Sequence, residues 1–408
     1  MRYQKLTEWK IDNISILENA VSLRSAIPEV FTEAEADQTK RFHEQIEGYG
    51  KTPLVSLPHL AEKWGVARIY VKDESERFSL NAFKGLGASY AMFRIICGIL
   101  GLDPAEASLK EITGGRYKDR IKDLEFVTCT DGNHGRGVSW AAGVFGCRAH
   151  VYMPYGSCKV RAEAIRRAGP AEVEITDLNY DDTVRYAQKM SEKNDWILIQ
   201  DTAWDGYEKI PEWIIRGYLT MASEAAEDID VLRSRPTHIF LQAGVGAMAG
   251  GVLAYFADRY GDDKPVVAIV EPTAADCIYR SVKAGSICPV EGAPGTIMAG
   301  LNCGTPCSIT WPVIRDHAGF FVSCPDEIAA GGMRTYAAGL GGDTKIISGG
   351  SGAVTLGAAQ RIITEPSFSE VKQAMKIDER SVLLFINTEG DTDPDSYRRI
   401  VGDCRTGG

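Results

Sequence analysis

No apolar run in this 408-residue chain is long enough to span a bilayer, and the opening Met1-Arg2-Tyr3-Gln4-Lys5-Leu6-Thr7-Glu8-Trp9-Lys10 lacks the apolar centre of a secretory signal. A cytoplasmic location is the expectation. Positive charge is in short supply: 45 Lys and Arg face 55 Asp and Glu, a net charge of -10, which argues against nucleic acid or an anionic membrane as partner. The six histidines show no ligand spacing and the ten cysteines form no CxxC, so no metal site is expected. Reduced thiols are the default reading, with a regulatory disulfide among Cys277, Cys303 and Cys307 as the alternative, since these share one Gly/Pro-broken region. Internal repeats and low-complexity linkers are absent too. What remains is a chain with 44% hydrophobic residues, enough to bury more than one core, and hence two domains.

The pattern present is an alternation. Apolar runs at 67–71, 126–129, 150–153, 172–175, 196–199, 237–241, 266–270 and 382–386 read as strands. Helical spacing at 137–145, 160–168, 181–193 and 213–226 separates several of them, which predicts βαβ units and a mainly parallel sheet. The acidic stretch Glu33-Ala34-Glu35-Ala36-Asp37 reads as a helix start or a solvated face, and no function attaches to residues before 45.

Lys84 stands at a strand-to-helix junction, in Ser79-Leu80-Asn81-Ala82-Phe83-Lys84-Gly85-Leu86-Gly87. An aromatic on one side and glycines on the other can draw its amine out of water, which is what a Schiff-base lysine needs. A snorkelling surface lysine is the bland alternative. At Cys129-Thr130-Asp131-Gly132-Asn133-His134-Gly135 a strand end meets a helix start, so backbone amides can hold an anion there. Gln242-Ala243-Gly244-Val245-Gly246-Ala247-Met248 has the same strand-loop-helix geometry and suits a phosphate. It also fits a dinucleotide fingerprint, with Glu271 about where a ribose-binding acid should stand. Asp201 closes another strand and reads equally as an acid/base or an N-cap. Ser348-Gly349-Gly350-Ser351-Gly352 is a second glycine-rich helix start, best explained by close backbone packing.

Together these motifs, preceded by Lys72-Asp73-Glu74 and by Thr52-Pro53-Leu54, resemble the tryptophan-synthase-β-like (fold type II) pyridoxal-phosphate enzymes. Within that family the runs Glu76 to Lys84, Thr130 to Gly137 and Gln200 to Tyr207 are most similar to the diaminopropionate ammonia-lyases. The resemblance, from about Gly50 to Pro394, implies an α/β fold with two open, mainly parallel sheets flanked by helices. A smaller domain at 90–196 would be inserted into a larger one made of 1–89 and 197–408, with the cofactor between them.

It further implies that Lys84 carries pyridoxal 5'-phosphate and acts as a base. Asn133 would bind the cofactor's O3', Gly244, Val245, Gly246, Ala247 and Met248 its phosphate, and Asn387 or Thr388 its pyridine nitrogen. Thr130, Asp131, Gly132 and His134 would meet an amino-acid substrate. Many relatives have a small hydroxyl residue at the position of Asp131, and an acid beside a substrate carboxylate asks for a compensating cation, which a second substrate amine supplies. Asp131 and Asp201 are therefore the expected acid/base partners of a lyase acting on 2,3-diaminopropionate, with Asp131 admitting the D-isomer. Likeness to the family also suggests a homodimer. The alternatives at this stage are a serine or threonine dehydratase of the same fold, a nicotinamide-dependent dehydrogenase, and a non-catalytic amino-acid-binding protein.

Overall fold

The protein, seen in a computed structural model, is described over residues 6–19, 25–290 and 295–402. Its chain divides into two compact units, one built from 1–32, 52–75 and 221–408 and the other from 33–51 and 76–220. The second unit thus interrupts the first along the chain. It is broader than the 90–196 stretch that the resemblance implies for a smaller domain.

The first unit holds an eight-stranded sheet. In chain order its strands are β1 (Leu6–Ile11), β2 (Ile14–Asn19), β3 (Leu54–Ser56), β4 (Arg68–Asp73), β9 (His238–Gln242), β10 (Val266–Pro272), β11 (Phe320–Cys324) and β12 (Val382–Asn387), where β5 to β8 belong to the second unit. Their spatial order is β1-β2-β11-β10-β9-β12-β4-β3. The five strands from β11 to β4 pair in parallel and the edges pair antiparallel. Every residue of β9, β11 and β12 is buried, as continuous apolar runs covered on both faces should be. The β1/β2 hairpin and β11 were not legible as strands. The hairpin reads as charge and aromatics because its first strand is an edge with no buried residue.

The second unit has a four-stranded parallel sheet of β5 (Glu125–Cys129), β6 (Arg148–Met153), β7 (Ala171–Ile175) and β8 (Ile197–Leu198), in the order β7-β6-β5-β8. Small cores lie against it, one around Val127, Tyr152 and Ala187 and another around Val151, Met153 and Ile165. Residues 76–89 and 197–220 join this unit because glycines let their backbones meet. A Cβ at Gly217, on the helix Lys209–Val231, would lie 2.5 Å from the Leu86 carbonyl oxygen and 2.7 Å from Gly87 Cα. A Cβ at Gly137, on the helix Asn133–Phe145, would lie 2.8 Å from the Lys84 carbonyl oxygen. Backbone cannot yield as a side chain can, so Gly217→Ala is expected to cost about 1–3 kcal/mol of stability. A urea unfolding midpoint unchanged in that variant would contradict the packing described.

Candidate active site

Lys84 is the first residue of the helix Lys84–Leu100, at the junction the sequence indicates. The segment leading into it is held in an uncommon conformation. Phe78, Ser79 and Asn81 all have positive φ, at 52°, 57° and 56°, a region that costs non-glycine residues free energy. Contacts on either side fix it: the Phe78 ring stacks on Trp140 at 4.2 Å, and the fully buried Arg77 donates to the Gly50 carbonyl. A Cβ at Gly85 would lie 2.8 Å from Leu80 and 3.2 Å from Trp140, and one at Gly87 would lie 2.6 Å from the Tyr218 ring. The glycines beside Lys84 are thus packing requirements as much as conformational ones.

The Lys84 side chain is 20% exposed, and its Nζ lies 2.7 Å from Asp201 Oδ2. The rings of Phe83 and Tyr218 stand 5.2 and 5.6 Å from the same nitrogen, within cation–π range. This is neither a snorkelling lysine nor an N-capping aspartate. Asp201 is set in place by its neighbours. Gln200 Oε1 accepts from the Cys129 amide at the end of β5, and the Tyr207 hydroxyl bridges the Gln200 amide and the Leu198 carbonyl. Burial works against ionisation of the Asp201 carboxyl, but the neighbouring His134 and Lys84 charges and the Lys84 hydrogen bond outweigh it and hold the carboxyl well below its usual range. His134 is itself pushed below its usual value by burial, so at neutral pH the operative cation is Lys84.

The turn after β5 supplies Thr130 to His134. Gly132 takes φ 155° with ψ -76°, a conformation open to glycine, and caps the helix Asn133–Phe145, so Asn133 itself is not the cap. Thr130 Oγ1 accepts from the amides of Gly132 and Gly135, which leaves its hydroxyl only a hydrogen to offer a ligand. His134 Nε2 bonds the Ile199 carbonyl oxygen at 3.0 Å, and Nδ1 lies 3.7 Å from Asp201 Oδ2. The ring is therefore turned to Asp201, and the groups at this turn that could hold an anion are the backbone amides of the first helical turn. Burial raises the Asp131 carboxyl above its usual range, Arg161 opposes the rise and the charge of Asp201 adds to it. Arg161 Nη1 reaches the Asp131 carbonyl oxygen at 3.4 Å.

In the first unit, Gly246 has φ +86° and opens the helix Ala247–Tyr260. The carbonyls of Val245 and Gly246 accept from the Cys307 amide and the Thr310 hydroxyl, so the loop is fixed from outside while the amides of the first helical turn have no intrahelical acceptor. A Cβ at Gly244 would lie 3.2 Å from Cys303 Sγ and Leu301 Cα. Near the end of β12, Asn387 spends both amide hydrogens, on Asp73 Oδ1 at 2.8 Å and the Ile347 carbonyl at 3.1 Å. Gln242 donates to the Ile386 carbonyl and to Thr388 Oγ1, each at 2.9 Å, which leaves the Thr388 hydroxyl hydrogen to point elsewhere. The glycines of 348–354 are close-packed as expected: a Cβ at Gly352 would lie 2.3 Å from Asn387 Oδ1. Cys277 Sγ donates to the Gly244 carbonyl at 3.6 Å. Cys404 lies outside the described residues.

Glu271 decides against the dinucleotide reading. It is wholly buried, and its two carboxylate oxygens accept from the amides of Ile278 and Tyr279 at 2.8 and 2.7 Å. An acid with no exposed surface, engaged at the start of the helix Cys277–Ala284, is not open to a ribose.

Residues 46–381 match the family described as pyridoxal-phosphate dependent enzyme. The chain belongs to that family. Among relatives of this pyridoxal-phosphate dependent enzyme, diaminopropionate ammonia-lyase of Salmonella typhimurium is 47% identical over 369 residues, 90% of this chain and 91% of the relative. Holo diaminopropionate ammonia lyase from Escherichia coli superposes with a TM-score of 0.90 at 44% identity, covering 97% of this chain and 98% of that one. The same Escherichia coli enzyme in complex with an aminoacrylate-PLP azomethine reaction intermediate gives a TM-score of 0.88 at 44% identity, with 98% and 97% covered. A pyridoxal-phosphate dependent enzyme of fold type II is therefore what the two parallel-cored sheets belong to. No helix among the described residues is long and apolar enough to cross a membrane.

Sequence reasoning missed the residues that hold the site in place: Gln200, Tyr207, Tyr218, Arg161 and Gln242. Gln200 and Tyr207 lie within the quoted Gln200–Tyr207 motif, where they read as context for Asp201. Gln242 opens the quoted 242–248 run, where it reads only as a strand end, and nothing in local pattern marks Tyr218 or Arg161, whose partners lie far away in sequence.

Proposed function

We propose that the chain is a lyase that takes 2,3-diaminopropionate and one water to pyruvate and releases both of the substrate's nitrogens as ammonia, with pyridoxal 5'-phosphate as cofactor. The observation that carries this is the pairing of Lys84 with Asp201 at 2.7 Å, with the Asp201 charge felt by a carboxyl at Asp131 that burial raises. The residues suit the cofactor. A lysine sheltered between aromatic rings can take its aldehyde, the Gly244 to Met248 amides its phosphate, and Asn133 its phenolic oxygen. Thr388 is the better partner for an unprotonated pyridine nitrogen, because its hydroxyl can donate while the amide hydrogens of Asn387 are spent.

Pyridoxal phosphate, once bound, supplies an aldehyde that condenses with amines and a ring that withdraws electrons from the substrate's α-carbon. Lys84 takes the α-proton from the L-isomer. Asp131, whose carboxyl keeps a proton to higher pH than an ordinary aspartate, takes it from the D-isomer. An amine leaves poorly unless protonated, and whichever of the two has taken the proton is placed to return it to the departing amine. Asp201, held ionised by its neighbours, orients Lys84 and passes protons rather than storing them. Thr130, Gly132 and the amides at Asn133 and His134 hold the substrate carboxylate. Resemblance to the family extends the proposal to a cytoplasmic homodimer working in amino-acid breakdown.

The test is release of pyruvate and ammonia from L- and D-2,3-diaminopropionate, run beside serine and threonine, on protein whose absorbance bleaches with borohydride. Turnover of the diamine at least about tenfold above serine is expected, since a poor leaving group gains most from a placed acid. Preferential turnover of serine or threonine would make the chain a dehydratase instead.

A further inference from the structure

Two basic groups of the second unit share one oxygen. Lys84 Nζ lies 2.7 Å and His134 Nδ1 3.7 Å from Asp201 Oδ2. His134 is 4% exposed, and its Nε2 faces the Ile199 carbonyl, which only accepts, so the ring hydrogen sits on Nε2. Nδ1 is left buried without a hydrogen-bond partner, its lone pair toward a carboxylate. Such an arrangement is tolerable while the Lys84 ammonium sits on the same oxygen. A lysine that is to attack an aldehyde or remove an α-proton must first lose its own proton, however. Asp201, 15% exposed, would then be a buried charge without a partner.

We propose that His134 is a positioning residue that receives on Nδ1, by way of Asp201, the proton that Lys84 gives up. The N–H bond at Lys84 Nζ breaks, an N–H bond at His134 Nδ1 forms, and the carboxylate between them ends as it began. Lysinium, carboxylate and neutral imidazole become amine, carboxylate and imidazolium, with the same total charge. This rests on the reading of Lys84 as the cofactor's lysine for its purpose, though not for its chemistry. The surroundings agree: burial lowers the His134 imidazolium, the Asp201 charge favours it and the Lys84 charge opposes it. The other groups that feel Asp201 do not compete for the proton. Cys129, Tyr207 and Tyr218 are all raised, chiefly by burial, and stay neutral. Asp131 is raised by burial and answered by Arg161 on the helix Lys159–Ala168.

The test reads the imidazole directly. In full-length protein with 15N-labelled histidine and no cofactor, at pH 7, His134 is expected to be neutral with hydrogen on Nε2. In Lys84→Met it is expected to be an imidazolium, and in Lys84→Met with Asp201→Asn neutral again, with the remaining histidines unmoved as the check on folding. A His134 signal that stays neutral in Lys84→Met overturns the proposal. A second variant guards against a folding failure: in the cofactor-loaded enzyme, His134→Gln keeps a donor for Ile199 but cannot hold the proton. It should lose at least about tenfold in kcat/KM at pH 7 and regain it as pH rises toward lysine's own ionisation. A loss equal at every pH would overturn the relay. The imidazole signals are independent of any substrate, so an enzyme inactive on diaminopropionate refutes the proposed function and leaves the relay standing.

Discussion

Lys84→Ala is expected to lower kcat on either isomer of 2,3-diaminopropionate by about 10,000-fold or more, because one side chain is asked to serve twice, as covalent anchor and as base. The purified variant should also be colourless after dialysis, and mass spectrometry after borohydride reduction should find no pyridoxyl group on the chain. An adduct of that mass on the variant would move the anchor to another lysine and dismantle the proposal. The effect on stability should be smaller than the buried setting suggests. Breaking a buried ion pair costs about 3–5 kcal/mol when the remaining charge has no other partner. Here His134 stands 3.7 Å from the stranded carboxylate and can take up a proton to meet it.

Asp131→Asn should separate the two isomers. In the proposed reaction Lys84 serves the L-isomer and Asp131 the D-isomer as base. A loss of about 100- to 10,000-fold in kcat/KM is expected for the D-substrate, the range for removing a placed general base, while the L-substrate stays within about tenfold of wild type. The pH dependence has a definite sign. Asp131 must be ionised to act as a base, and burial raises its carboxyl, so D-turnover should fail on acidification at a higher pH than an ordinary aspartate would dictate. L-turnover, which draws on Lys84, should not share that limb. Equal losses for both isomers would remove Asp131 from the role of isomer-specific base.

These two residues were legible in the sequence because each lies in a compact run whose neighbours constrain it. The alternation of apolar runs likewise announced β4 to β10 and β12, since central parallel strands are apolar on both faces. The hairpin of β1 and β2 was hidden for the opposite reason, an edge strand having a wet face. Within the candidate site, local pattern named the groups proposed to meet ligand and missed those that hold them in place. Gln242 and Thr388 are far apart in sequence, and only the folded β9 and β12 bring amide to hydroxyl. The same holds for Glu271, whose spacing suited a ribose until the amides of Ile278 and Tyr279 were seen to occupy it. Spacing along a chain records what a residue can reach, and the choice among reachable partners is made by packing.

The motif around Lys84 is preceded by another lysine, Lys72 on β4, and its surroundings are of a different kind. Lys72 has no exposed surface, and its ammonium is engaged by the Thr52 carbonyl oxygen and the Glu224 carboxylate, with Thr52 in turn donating to the buried Glu74. An amine so committed cannot shed its proton cheaply or approach a carbonyl carbon. Reactive aldehydes, whether the vitamin itself or stray metabolic sugars, are therefore denied this lysine of β4.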